Sequence, residues 1–317
     1  MQTPAGNEFT IEVASRPLQR PALEMVLGFV SSRGRGEQVE RLLAAARAGR
    51  ISLDGLLVAL RDGELAGAVW SQRQPGRVAS LFPPVAAHPE WRGCMEELLT
   101  AAIAQLEASD VRLAQALLKD DQGEDAQLLL RHGFSRLADL LYMVSVSKDF
   151  PSSPPGGDLE LTPAPSNDLA RLARICERTY EGTLDCPALN GVRTSDDVLA
   201  GYRAAGADAP PRWWIARSGG DDVGCLFLAD HPDDKQCEIV YAGLAPEARG
   251  NGFGVLLARH AQWQTRVATR ERLVLAVDAA NAPAIAAYSA AGFVVWDRRC
   301  ALMRIFARAG KGATDAK

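Results

Sequence analysis

Residues 238–257, EIVYAGLAPEARGNGFGVLL, combine an apolar segment, a glycine-rich turn and the start of an apolar helix. The first amides of a helix have no partner inside it, and they carry the positive end of its dipole. Gly252 and Gly254 would let an anion approach these amides, because glycine has no Cβ atom. Arg249 adds a positive charge beside the turn. The stretch therefore predicts an anion-binding loop, although a turn that needs glycine for steric reasons alone would show the same pattern.

The segments on either side alternate between strand and helix patterns. Before the turn we predict a strand at 159–163, a helix carrying Leu169 to Cys176 with Asn167 as its cap, a helix starting at the Ser195-Asp196-Asp197 cap, and strands at 212–217, 222–229 and 236–244. After it we predict a helix over 252–267, a strand over 273–277, a helix over 282–290 and closing strands after Phe293. This order predicts a mixed α/β (α+β) fold with a mostly antiparallel central sheet flanked by helices.

The first half of the chain repeats this order with a weaker signal. We predict strands near 9–13 and over 56–60, 65–71 and 111–117, and helices over 37–48, 91–106 and 125–131. Gly133-Phe134 precedes the closing strands as Gly292-Phe293 does 159 residues later, and Leu98-Leu99 corresponds to Leu256-Leu257 at an offset of 158. Two distant landmarks with nearly the same offset predict a duplicated fold.

A stretch rich in proline and glycine, PSSPPGGD at 151–158, separates the two halves. It has no apolar periodicity, so it favours neither helix nor strand. We therefore predict a first domain over 1–150, a linker over 151–158, a second domain over 159–310 and a disordered tail over 311–317.

Composition narrows the possible functions. The 35 Lys and Arg residues nearly balance the 39 Asp and Glu residues without long blocks of one sign, so no nucleic-acid partner is expected. The N-terminus does not resemble a signal peptide, and no apolar run approaches the ~18 residues of a membrane span. We expect a soluble, cytoplasmic protein with no membrane partner. The six cysteines and four histidines show no ligand spacing, so we expect no metal.

The pattern R-x-x-G-x-G at 249–254, followed by Asn281, Ala284, Tyr288 and Gly292-Phe293, resembles the acetyl-coenzyme A-binding motifs of the GCN5-related N-acetyltransferase (GNAT) family. The resemblance covers roughly residues 159–306, with its specific motifs in 238–293. It implies acetyl-coenzyme A as the acyl donor and no need for a metal. The implied activity is transfer of an acetyl group to a primary amine of a small molecule or peptide. The alternative is a non-catalytic acyl-coenzyme A sensor.

The resemblance also implies roles for individual residues. Backbone groups near Ala242 and Leu244 would pair with the pantetheine arm at a splay in the sheet, and Asn281 would hydrogen-bond the phosphopantetheine region. Tyr288 would protonate the leaving thiolate, since the pKa of a phenol, ~10, lies just above that of a thiol, ~8.5. The pyrophosphate would be held by the amides of Arg249, Gly250, Asn251, Gly252, Phe253, Gly254 and Val255.

The general base is a separate question. The run EIVY at 238–241 resembles the strand that carries the general-base glutamate of histone acetyltransferases in this family, which makes Glu238 the candidate. An outward-facing surface glutamate would give the same sequence. Asp278 and Asp230 are the reserve candidates.

The first half lacks the chemistry of the second. The 158-residue offset sets Trp91 against Arg249, Cys94 against Gly252 and Glu96 against Gly254, and a carboxylate at Glu96 would repel a pyrophosphate. We therefore predict that the first domain is degenerate and does not bind coenzyme A in the usual way. Such an arrangement is similar to that of mycothiol synthase, but we recognise no residues specific for one acceptor, and the oligomeric state is not predicted.

Overall fold

The computed structural model describes residues 8–28, 32–165, 168–206 and 212–306. Their contacts divide the chain into two compact units. The first unit contains the described residues up to Arg136 and those from Leu302 onward, and the second runs from Leu137 to Ala301. The predicted cap Asn167 and the predicted tail 311–317 lie outside the described residues. The predicted linker at 151–158, which separates the two halves of the sequence repeat, stays a prediction.

The first unit contains a mostly antiparallel sheet. Its elements are β1 (Thr10–Val13), α1 (Arg16–Val26), α2 (Ser32–Arg47), β2 (Leu56–Arg61), β3 (Glu64–Gln74), β4 (Val78–Ala86), α3 (Cys94–Glu107), β5 (Leu113–Leu118), α4 (Glu124–Arg131) and the start of β6 (Ser135–Val146). The strands are ordered β1-β2-β3-β4-β5, and β4 and β5 are parallel. Our sequence predictions did not include α1 or β4.

Prolines explain both omissions. Helix α1 has a proline in its first turn and Pro21 inside it, and an internal proline argues against a helix because it removes one backbone hydrogen bond. Strand β4 contains Pro83 and Pro84, which argue against a strand in the same way. In both elements burial outweighs local preference: Ala22 and Leu23 of α1 are fully buried, and Phe82 of β4 stacks on Trp70.

The second unit repeats the design. After β6 it contains β7 (Glu160–Pro163), α5 (Leu169–Tyr180), α6 (Ser195–Ala204), β8 (Arg212–Ser218), β9 (Asp221–His231), β10 (Gln236–Leu244), α7 (Phe253–Val267), β11 (Arg272–Asp278), α8 (Ala282–Ala290) and β12 (Val294–Ile305), which belongs to the first unit from Leu302 on. The strand order is β12-β6-β11-β10-β9-β8-β7, with β10 and β11 parallel.

The element order confirms the duplicated fold. Each half of the chain follows strand, helix, helix, three strands, helix, strand, helix, strand. Helix α3 starts at Cys94 and α7 at Phe253, 159 residues later, and the same difference separates the starts of β6 and β12. The mixed α/β fold class predicted from the sequence is therefore the one observed.

Side-chain caps start two helices of the second unit. The carboxylate of Asp168 accepts the amide of Arg171 at 3.1 Å and caps α5. The hydroxyl of Thr194 accepts the amide of Asp197 at 3.2 Å and caps α6. The cap of α6 is therefore one residue earlier than the predicted Ser195, and both caps are of the kinds that helix starts favour.

The sheet of the second unit is apolar on both faces. One face includes Leu226, Ile239 and Leu275 and packs with Leu257 and Ala261 of α7. On the opposite face, a smaller cluster joins side chains of α5 and α6 to those of β8 and β9, namely Leu172, Ile175, Cys176, Leu199, Trp213, Ile215, Cys225 and Phe227. Two packed faces fix the position of β10 and β11 and of the helix that follows β10.

We predict that Gly224→Ala in β9 destabilises the second unit by about 1–3 kcal/mol, the usual cost of overpacking. A Cβ atom at this position would lie 2.3 Å from the carbonyl oxygen of Gly243 in β10, and backbone on both sides prevents relief. Chemical denaturation should show the loss. Gly156→Ala is the control, since its Cβ would meet no atom within 4 Å; equal midpoints for the two variants would contradict the prediction.

Candidate active site

The strands β10 and β11 separate halfway along their length. They pair in parallel from Gln236 with Arg272 to Ile239 with Leu275, whereas β10 continues to pair with β9 as far as Leu244. A register shift between Ile239 and Tyr241 marks the point of separation, and such bulges bend a strand. Within these described strands, the β10 backbone beyond Ile239 therefore has an edge that β11 does not cover.

A cleft of about 680 Å³ opens at this separation. One wall is β10 from Ile239 to Leu244, and the opposite wall comes from the first turn of α7 and from α8. The loop after α5 closes a further side with Gly182 to Asp185. The lining includes ten of the twelve residues predicted from the sequence: Ala242, Leu244, Arg249, Gly250, Gly252, Phe253, Gly254, Val255, Asn281 and Tyr288. The two that do not line it are Asn251 and Glu238.

The glycines of the turn have different reasons to be glycine. Gly250 and Gly252 adopt φ values of +80° and +76°, in the left-handed region that favours glycine. A Cβ atom at either position would meet no atom within 4 Å. Gly254 instead packs closely, because its Cβ would lie 3.1 Å from that of Ala287 in α8. Backbone conformation or packing therefore explains each of these glycines, and the open space at Gly250 and Gly252 leaves room for an anion.

The amides at the start of α7 divide into engaged and available groups. The amide of Val255 donates to the Gly252 carbonyl at 3.1 Å, and that of Arg249 donates to the Pro246 carbonyl at 3.2 Å. The amides of Phe253 and Gly254 lie in the first turn, where a helix offers no internal acceptor. An anion would therefore find its donors at the centre of the 249–255 segment rather than at its two ends.

The side chain of Arg249 bonds to three backbone carbonyls. Its guanidinium donates to Leu244 at 3.1 Å, to Gly182 at 3.1 Å and to Thr179 at 3.0 Å. It thereby connects the end of β10, the end of α5 and the loop after α5. Its charge also lies at the negative end of the α5 dipole, where a cation is favourable.

Helix α8 contributes two predicted residues to the cleft. Asn281 caps the helix, because its side-chain oxygen accepts the amide of Ala284 at 3.2 Å. Tyr288 is half-buried, with its ring centroid 5.6 Å from that of Phe293. Burial raises the pKa of the Tyr288 phenol, and the nearby charge of Asp185 raises it further. The phenol is therefore protonated at neutral pH, and its pKa lies further above that of a thiol than the unperturbed values of ~10 and ~8.5 do.

Glu238 lies outside the cleft lining and pairs with a histidine. Its carboxylate is 3.0 Å from Nε2 of His231 across the tight turn between β9 and β10. This hydrogen bond is the main reason that the pKa of His231 is raised, and burial opposes it. The sequence prediction did not include His231. Its spacing of seven residues from Glu238, across a predicted turn between two strands, could have indicated that the two side chains lie side by side.

The two reserve carboxylates are engaged in structural contacts. Asp278 is buried, and its oxygens accept the amides of Ala280 at 2.9 Å and Cys186 at 3.2 Å. Asp230 forms a two-bond ion pair with Arg270, at 2.6 and 3.0 Å. Neither lines the cleft.

The loop after α5 is the part of the site that the sequence did not identify. Thr183, Leu184 and Asp185 line the cleft, yet they form no motif and follow no periodic pattern. Asp185 is exposed, and one of its oxygens accepts the amide of Asp278 at 3.0 Å. The protein atoms around its carboxyl reduce the contact of that group with water and raise its pKa, while the hydrogen bond from the Asp278 amide opposes the rise.

The first unit has different chemistry at the equivalent positions. Strands β4 and β5 also pair only briefly, from Val78 to Ser80 on β4. The 158-residue offset sets Pro83 and Pro84 of β4 against Tyr241 and Ala242, and proline has no N–H to offer a ligand. Glu96, in the first turn of α3, bonds to Arg131 at 2.8 Å. That this half does not bind coenzyme A in the usual way stays a prediction.

Neither a membrane-spanning helix nor a group of metal-binding side chains occurs in the described ranges. No helix there is both long and apolar enough to span a membrane. No three His, Cys, Asp or Glu side chains in the same ranges are grouped as metal ligands would be.

Comparison with known proteins finds a family match for part of the second half of the chain. A family profile described as "Acetyltransferase (GNAT) family" matches residues 177–293. A mycothiol acetyltransferase of Thermomonospora curvata is 28% identical over 290 residues, which cover 89% of this chain and 93% of the relative.

Solved structures show the same fold. A GCN5-related N-acetyltransferase from Sphaerobacter thermophilus superposes with a TM-score of 0.66 at 16% identity, covering 95% of this chain and 96% of the other. A tandem GNAT protein from the clavulanic acid biosynthesis pathway gives a TM-score of 0.56 at 16% identity, covering 96% and 99%. Together with the duplicated element order, these findings show a match to the GNAT family over residues 177–293 and, for the described residues, a fold similar to that of a tandem GNAT protein.

Proposed function

We propose that the protein transfers an acetyl group from acetyl-coenzyme A to a primary amine of a small molecule or peptide, in the cleft of the second unit. One observation carries this proposal. Tyr288 and Gly252 of the glycine turn are 36 residues apart in the sequence, yet they line the same cleft at the separation of β10 and β11. The similarity to a mycothiol acetyltransferase supports acetyl transfer as the reaction. We do not assign the acceptor of that relative to this chain.

The donor would bind along the uncovered edge of β10. Backbone groups near Ala242 and Leu244 would pair with its pantetheine arm as an added strand would, and the free amides of Phe253 and Gly254 would bond the pyrophosphate. Asn281 lines the cleft and keeps its amide NH₂ group for the phosphopantetheine region, since its oxygen caps α8.

Transfer requires that two protons leave the amine nitrogen. The neutral amine attacks the thioester carbon, the carbon–sulfur bond breaks, and Tyr288 donates a proton to the departing thiolate. Polarisation of the carbonyl would fall to a backbone N–H near Ala242 to Leu244. The first proton, lost by the ammonium before attack, is proposed to reach Glu238 through a water molecule, because the Glu238 carboxylate does not line the cleft. The second proton, lost by the nitrogen once the carbon–nitrogen bond has formed, returns to the Tyr288 phenolate. His231 would hold that carboxylate in place.

Tyr288→Phe should lower kcat by roughly 100-fold, the lower end of what a general acid contributes. The phenylalanine keeps the ring beside Phe293, so affinity for coenzyme A should stay within about twofold of the wild type. Steady-state turnover of an amine panel and calorimetric titration with coenzyme A measure the two effects. Coenzyme A binding by the wild type without turnover of any amine would instead support the acyl-coenzyme A sensor.

Gly252→Ala should weaken coenzyme A binding, since a Cβ atom there would lie where the pyrophosphate meets the first turn of α7. A left-handed alanine costs about 1–2 kcal/mol wherever it occurs. Gly219→Ala is therefore the matched control, with φ of +59° and open space around it but no place in the cleft. Similar thermal stabilities but unequal coenzyme A affinities are expected, and equal affinities would exclude the pyrophosphate assignment.

Glu238→Gln should lower the pKa of His231 toward its ordinary value of ~6.5, because the hydrogen bond that raises it loses its charge. The folded histidine binds its proton more tightly than the unfolded chain does. The contribution of the pair to stability is therefore fully present below the unfolded pKa and is lost as pH rises through the folded one. An NMR titration of the His231 ring measures the shift, and turnover of the same variant tests the base. An unchanged titration would show that the pair does not form in solution.

A further inference from the structure

The loop after α5 crosses the open end of the separation between β10 and β11 and is fixed on both sides. On the β10 side, Arg249 donates to the carbonyls of Thr179 and Gly182. On the β11 side, Asp278 accepts the amide of Cys186 at 3.2 Å and donates its own amide to Asp185 at 3.0 Å. The backbone between these anchors therefore has a defined position beside the cleft.

The charges of the cleft lining are few. Its ionisable residues are Asp185, Arg249 and the two phenols Tyr241 and Tyr288, and burial raises the pKa of Tyr241 so that it stays neutral. The guanidinium of Arg249 is directed to three backbone carbonyls, and Tyr288 is a neutral phenol at neutral pH. Asp185 is thus the carboxylate of the lining, and it lies in a cleft otherwise formed by backbone and mainly apolar side chains.

The position of Asp185 relates it to the reaction. Asp185 and the proposed acid Tyr288 line the same cleft, and, besides burial, the charge of Asp185 raises the pKa of the Tyr288 phenol. One oxygen of Asp185 accepts the amide of Asp278, and the residue is exposed where it lines the cleft. A group that approaches Tyr288 through the cleft therefore passes a fixed negative charge. Such a charge attracts an ammonium group and disfavours an anionic acceptor.

We propose that Asp185 binds the ammonium group of the acceptor and that the acceptor is a cationic primary amine. This inference rests on the proposed function and names the class of its acceptor. The carboxylate holds the amine beside Tyr288 before the amine loses its proton, so Asp185 acts in binding and in acceptor selection. Glu238 keeps the separate role of accepting the proton through water.

The test compares two acceptor classes at neutral pH: primary alkylamines, which are protonated, and acyl hydrazides, which are uncharged. Asp185→Asn removes the charge but keeps the oxygen that accepts the amide of Asp278, so the loop should keep its conformation. The variant should raise KM for alkylamines roughly tenfold or more, as expected for the loss of a charged hydrogen bond. KM for hydrazides and the affinity for coenzyme A should stay within about twofold.

Two further variants isolate the role of the charge. Asp185→Glu should restore part of the alkylamine affinity. Glu181→Gln, on the same loop but outside the cleft lining, should leave both acceptor classes unchanged. An equal rise in KM for both classes, or no rise for alkylamines, would overturn the inference while the proposed function stood.

If the wild type turned over no amine, the proposed function would be wrong. Binding of an ammonium group by Asp185 could still be tested directly. Calorimetric titration of the coenzyme A-loaded protein with alkylammonium ions would then be compared between the wild type and Asp185→Asn. Weaker binding by the variant would support the ammonium site. Equal binding, or no binding by the wild type, would overturn it.

Discussion

The hydrogen-bonded pairing of β10 with β11 extends over four residue pairs and then stops, while β10 continues beside β9. Everything chemical in the second unit depends on this limited pairing. The bulge at Val240 directs β10 away from its parallel neighbour, and the first residues of the helix that follows β10 line the resulting gap. A β10 paired with β11 along its whole length would leave no uncovered backbone edge and no cleft, whatever the side chains.

Two residues that fix the walls of this gap had been expected to have other roles. Arg249 belongs to the most recognisable motif of the chain, yet its guanidinium bonds to three carbonyls and fixes the loop after α5. Asp278 was a candidate base and instead fixes the same loop from the β11 side. The pattern therefore combines residues that face the ligand with residues that hold the walls apart, and only the hydrogen-bond partners distinguish the two groups.

The sequence predicts the parts of the site that local rules determine. Local rules predict the glycine turn at Gly252 and the short helix that carries Tyr288, and it is the resemblance to the GNAT motifs that assigns both residues to one site. The bulge at Val240 has no local signature. Asp185 lies in a loop without periodicity, and its position depends on partners more than 60 residues away in the chain, Arg249 and Asp278. Helix α1 and strand β4 were missed because their prolines oppose them locally while burial stabilises them.

Because of Pro83 and Pro84, the two halves of the chain differ in the hydrogen-bond donors of their backbone and not only in their side chains. A lost side chain can return by one substitution, but two prolines in β4 remove backbone donors that no side chain replaces. Regaining them would require both residues to change within a strand that pairs with β3 on one side and with β5 on the other. A single side-chain substitution in the first unit would therefore leave the backbone of β4 without at least one of these two donors.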